Sequence, residues 1–134
     1  MAGALLLIVM LAPAATVAAC LVVRAPRFVE AVNLCASIVV FAAAIALTVF
    51  SARGPNHYLA EYVVLDMTGA WVILCTAVVY LLASIHSIGY MRLVGEDDRL
   101  WAFYALFAGF ALTILVSAVM NNAGLYWIAI ELTT

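Results

Sequence analysis

The chain contains no lysine. All five of its basic residues are arginine, and with seven acidic residues its net charge is −2. Only 9% of the 134 residues are charged, against roughly 25% in an average soluble domain. So little charge excludes a basic surface for nucleic acid and a polybasic lipid-binding tail. Cysteine pairing is missing as well. Cys20, Cys35 and Cys75 lie inside apolar runs without C-x-x-C spacing. They are expected to be small buried apolar residues that say nothing about redox compartment. No cluster with metal-ligand spacing, no phosphate-binding glycine loop and no nucleophile constellation appears, so no cofactor is implied.

What fills the chain instead is apolar. Hydrophobic residues make up 70% of it, and the mean hydropathy is +1.27. A soluble core of this size cannot absorb that much apolar surface, so the solvent for most of it must be lipid. The fold class expected is all-α: an integral membrane protein of polytopic transmembrane helices, four complete and a fifth begun.

The few charges and turn residues cut the chain into segments near the ~20 residues that span hydrocarbon. Helices are expected at about 4–23, 29–50, 66–90, 100–120 and 123–134. Pro13 could kink the first, which membrane helices tolerate. Arg24, Pro26, Arg27 and Glu30 read as a short loop. "SARGPNHYLAEY" is the longest polar stretch, with Gly54-Pro55 as its turn. Asp66 reads as a helix N-cap, "GEDD" at 95–98 as a solvated loop, and Asn121-Asn122 with Gly124 as a tight turn. "VAAC" at 17–20 looks like a lipoprotein cleavage box. No Lys or Arg precedes it and the apolar run continues beyond it, so the reading taken is a first transmembrane helix.

Arginine counting orients the chain. Arg24 and Arg27 follow the first helix and Arg92 and Arg99 the third, against Arg53 alone on the other side. The Arg-rich side is therefore expected in the cytoplasm and the N-terminus outside. Tyr58 and Tyr62 would mark the outer interface, and Tyr90, Trp101 and Tyr104 the inner one.

One acid stands apart. Glu131 lies eight residues into the apolar fifth segment, counted from Ala123. At 1.5 Å per residue that is roughly 12 Å deep, close to the bilayer midplane. A charged acid there costs at least ~2.5–3.5 kcal/mol and usually faces a protein interior or a water-filled path. Burial raises the pKa of such a group and a nearby cation lowers it, which is the balance a proton-transfer site needs. Gly124, Trp127, Ile128 and Thr134 share its helical face and are expected to turn inward with it, with Leu125, Ala129 and Leu132 opposite. A helix ending at residue 134 would be too short to span, so the chain is expected to continue.

The stretches "YLLASIHSIGYMR" and "RLWAFYALFAGFALTILVSAVMNNAGLYWIAIELTT" resemble the antiporter-like proton-translocating subunits of respiratory complex I, cation/proton antiporter complexes and group 4 membrane-bound [NiFe] hydrogenases. The "IELTT" ending is most similar to the component F type of membrane subunit in hydrogenase-4. The resemblance covers residues 66 to 134. It implies a larger protein with inverted helical repeats, in which a fifth-helix glutamate, matched here by Glu131, pairs with a lysine on a later broken helix. No lysine is present here, so that partner is expected outside this chain. The resemblance also suggests Asp66 at the outer end of a proton path, beside its reading as a helix cap. His86 is a candidate relay because its pKa lies near neutrality, although family members more often carry an aromatic residue there.

The function expected is thus proton translocation in a redox-driven respiratory or hydrogenase complex. The expected site residues are Glu131, with His86 and Asp66 as weaker candidates. The partners would be other membrane and peripheral subunits, the lipid bilayer, and H⁺ or Na⁺. Redox centres would belong to those partner subunits. The alternative is a small, non-pumping scaffold that assembles such a complex.

Overall fold

A computed structural model describes residues 2–52, 54, 56–58, 62–95 and 99–133. The chain is an all-α, polytopic membrane protein. Its helices are α1 (Ala2–Val22), α2 (Pro26–Ser51), α3 (Met67–Val94), α4 (Leu100–Ser117) and α5 (Ala123–Glu131), and the first four are long and apolar enough to cross a bilayer. A short antiparallel hairpin of β1 (Asn56–Tyr58) and β2 (Val63–Leu65) lies between α2 and α3.

Local chemistry sets the helix ends. α2 starts at Pro26, in its first turn, where the missing N–H of proline costs nothing and its fixed φ suits a helix. The expected loop thus shrinks, and Arg27 becomes helical. The Asp66 side chain accepts a 2.7 Å hydrogen bond from Gly69 N and caps α3. The other end of α3 runs a turn past the expected Tyr90 and stops at Gly95, whose φ of +72° is the left-handed C-cap glycine favours. Asn122 caps α5, its Oδ1 accepting from Gly124 N and Leu125 N. α1 continues through Pro13, and the buried Thr16 hydroxyl donates to Ala12 O at 3.0 Å. Of the residues read from the sequence as loop or charge markers, Arg53, Pro55 and residues 96–98 lie outside the described residues.

The hairpin was not expected. It appears because "VVL" at 63–65 finds an edge to pair with: Val64 N donates to Val119 O at 2.9 Å and Asn121 N to Tyr62 O at 2.9 Å. β2 thereby ties the segment after α4 to the start of α3.

α1 packs against α2 and α4, and α2 against α3, while α4 also touches α2 and α3, closing a four-helix bundle. In lipid there is no hydrophobic drive for helices to associate, so close packing and interhelical hydrogen bonds must hold them. The buried positions fit that demand. Ala36, Ala43, Ala44, Ala70, Ala77, Ala105, Ala108 and Ala111 let backbones approach. The half of the core nearer the N-terminus is apolar, built on Leu6, Val40, Leu47, Leu65, Ile73 and Leu115. Large apolar side chains such as Val22, Leu93 and Leu106 cover the outside, which is the surface a bilayer solvates.

Two expectations about residue placement are corrected. Cys20 is buried, but Cys35 and Cys75 are exposed; a lipid-facing thiol is as apolar as its neighbours and needs no burial. Tyr104 is not an interfacial aromatic. It is fully buried, with its hydroxyl 3.1 Å from Ser87 Oγ.

Candidate functional site

The acid singled out in the sequence lies at the last residue of α5. α5 packs on α4. Its one buried residue is Ala129, on the side expected to face away. Gly124, Trp127, Ile128 and Glu131 are exposed, and Thr134 lies outside the described residues. Within this chain, the Glu131 face therefore points away from the α1–α4 bundle, and Leu125 and Leu132 of the other side are exposed as well. A small residue makes the closer helix contact, so Ala129 takes the α4 side and turns the acid outward.

Asp66 stands at the end of the bundle where α5 begins. It lines an open, partly polar groove with Thr68, Gly69, Ala118, Asn121 and Tyr126. Its carboxylate is engaged as the cap of α3. Gly69 belongs to this arrangement for a steric reason: a Cβ there would stand 2.8 Å from Ala118 O and 3.1 Å from Asp66 Oδ1. His86 lies on the exposed face of α3, beside Leu82, Ile85 and Tyr90. The structure does not bring Glu131, His86 and Asp66 together. Among the described residues, no group of His, Cys, Asp or Glu could hold a metal ion.

What the structure does bring together was not singled out in the sequence. At the junction of α2, α3 and α4, Tyr80 OH donates to Asn33 Oδ1 at 2.8 Å, and Asn33 Nδ2 donates to Ser84 Oγ at 3.0 Å. Ser84 Oγ donates to Tyr80 O at 2.7 Å, and Ser87 Oγ to Ser84 O at 2.9 Å. Ser87 Oγ also meets the Tyr104 hydroxyl. All five side chains are buried. The strip ends at an ion pair, Arg92 Nη2 donating to Glu30 Oε2 at 2.9 Å. The Glu30 side chain is only 9% exposed and that of Arg92 is 66% exposed. A nearly buried carboxylate is tolerable at a membrane boundary only with such a partner.

The signal for this strip was present. Tyr80, Ser84, Ser87 and Met91 recur at helical spacing on the one buried face of α3. Only the fold shows that Asn33 and Glu30 of α2, and Tyr104 of α4, meet that face.

The charged end is organised as well. Arg24 lies over the Trp101 ring, 4.6 Å from its centroid, a cation–π contact between the α1–α2 connection and α4. Arg27 and Arg92 line one groove with Glu30. Gly3, Val63 and Met120 come together at the opposite end. Arg24, Arg27 and Arg92 thus lie at the end of the bundle opposite the N-terminus.

No protein-family model matches this chain, and neither a curated protein nor a solved structure matches it.

Proposed function

We propose that this chain is the N-terminal helical part of an antiporter-like, proton-translocating subunit in a redox-driven respiratory or hydrogenase complex of the cytoplasmic membrane. The observation that carries the reading is Glu131: a carboxylate on an apolar helix, displayed on the side away from the α1–α4 bundle. A carboxylate at this depth belongs against protein or water rather than lipid. Its outward face therefore supports a contact with further helices of the same assembly. The resemblance of residues 66–134 supports a cationic partner there.

In this reading α1–α4 hold α5 in place, and the chemistry is electrostatic. A cation approaching Glu131 favours the carboxylate and releases a proton; a cation withdrawing favours the neutral acid and takes one up. Redox events in partner subunits move that cation. The translocated ion is H⁺ or Na⁺. Arg24, Arg27, Arg92 and Arg99 face the cytoplasm, and the N-terminus and the 118–122 turn lie at the outer face.

The test is Glu131→Gln in the assembled complex, with Glu131→Asp as control, followed by acidification of inverted vesicles. Acidification should fail with Gln and survive in part with Asp. Unchanged acidification with Gln would leave the chain a scaffold.

A further inference from the structure

The geometry points to a second device at the other end of the bundle: the Glu30–Arg92 ion pair is the inner gate of a proton half-channel between α2, α3 and α4. This rests on the reading above for the identity of the ion and for which side is cytoplasmic.

Three features in series carry it. On the outside, an open groove lined by Ala25, Pro26 and Arg27 reaches both charged groups. At its floor is the pair itself, with the guanidinium on the solvent side and the carboxylate behind it. Behind the carboxylate run Tyr104, Ser87, Ser84, Asn33 and Tyr80. From Arg92 to Tyr80 is twelve residues of α3, a rise of roughly 18 Å. That is about the distance from an interface to the midplane of a 30 Å core.

The distribution of polarity distinguishes this from ordinary interhelical adhesion. Polar side chains used only as glue have no reason to keep to one half of a bundle. Here the side chains hydrogen-bonded between helices begin at the arginine end and stop at Tyr80; of the other buried polar side chains, Ser37 bonds within α2 and Thr16 within α1, and Ser51 lies at the far end of α2. Beyond Tyr80, the packed core is Val40, Ala44, Leu47, Leu65, Ile73, Ala77 and Leu115. Polarity that enters from one side and ends halfway has the form of a half-channel.

In the state seen, the strip is closed. The Asn33 amide and the carbonyls of Tyr80 and Ser84 take up the hydroxyl protons, so no unbroken hydroxyl relay runs through it. Conduction therefore needs water. When Arg92 swings into the groove, Glu30 is left to draw water inward, and Ser87, Ser84 and Asn33 solvate it. A proton then enters from the cytoplasmic side, passes from water to water, and each oxygen gives up one proton for the one it receives.

The experiment uses Ser87→Cys in the full chain with Cys20, Cys35 and Cys75 replaced by Ala, reconstituted in liposomes. A membrane-impermeant methanethiosulfonate is added at the arginine end. The thiolate that reacts forms only where water reaches it, so labelling should be slow with the pair intact and at least about tenfold faster after Arg92→Ala. Glu30→Gln, which keeps the side-chain volume, should also speed it, and both should raise the passive proton leak. Ala111→Cys, in the apolar half, should stay unreactive throughout. Circular dichroism and gel filtration identify the variants that fold, and either one suffices. Equal Ser87→Cys labelling with and without the pair in a folded variant overturns the gate. Glu131→Gln should leave this labelling unchanged, so failure here and failure of the Glu131 reading are distinguishable.

Discussion

Replacing Asn33 by alanine removes both hydrogen bonds that tie α2 to α3 at the centre of the bundle. The two losses are unequal. Ser84 Oγ keeps its own acceptor, Tyr80 O at 2.7 Å, and forfeits only an incoming donor. The Tyr80 hydroxyl forfeits the acceptor of its bond and is left unsatisfied in a dry interior. Interhelical hydrogen bonds in bilayers average about 0.6 kcal/mol and reach ~1.7, so losing both should cost about 1–3 kcal/mol. The assay is reversible unfolding in mixed micelles, titrated with dodecyl sulfate and followed by circular dichroism. The sharper form is a double-mutant cycle with Tyr80→Phe, which removes the stranded hydroxyl. Asn33→Ala should cost less in the Tyr80→Phe background than in wild type, with a coupling of about 1 kcal/mol. Additivity within ~0.3–0.5 kcal/mol would refute the reasoning, because it would mean that the two side chains do not interact.

Two glycines of α3 should behave oppositely. Gly69→Ala drives a Cβ to 2.8 Å from Ala118 O and should destabilise by about 1–3 kcal/mol in the same unfolding assay. Gly89→Ala meets nothing within 4 Å and should be neutral, or stabilising by at most about 1 kcal/mol through helix propensity. At Asp66, alanine should cost about 1 kcal/mol while asparagine, which can still cap, should cost little. Asp66→Asn should also leave vesicle acidification intact. A loss there would mean that the carboxylate serves the proton path as well as the cap.

The helices were legible in the sequence because composition alone selects them. A chain with this little charge has few places to turn, and Arg24, Asp66 and Asn121-Asn122 each mark one. Asp66 could be read as a cap from its position before an apolar run. The hairpin was missed because three apolar residues, Val63 to Leu65, carry no strand signal of their own and need the 119–121 edge to pair with. Arg27 was misread as loop because Pro26 looks like a break, although proline is at home in a first turn. Asn33, Ser84 and Ser87 are single polar residues in apolar helices, and nothing in one helix says which of them another helix will meet. On α5, Ala129 makes the closer contact, and Glu131 is left facing outward.

The central claim is that Glu131 carries protons while electrons flow elsewhere. The most direct measurement is the number of protons moved per electron pair by the assembled complex with Glu131→Gln, with subunit content checked by gel. The account predicts a ratio well below wild type in a complex that still assembles and transfers electrons, with Glu131→Asp intermediate. A wild-type ratio in the Gln variant would contradict it.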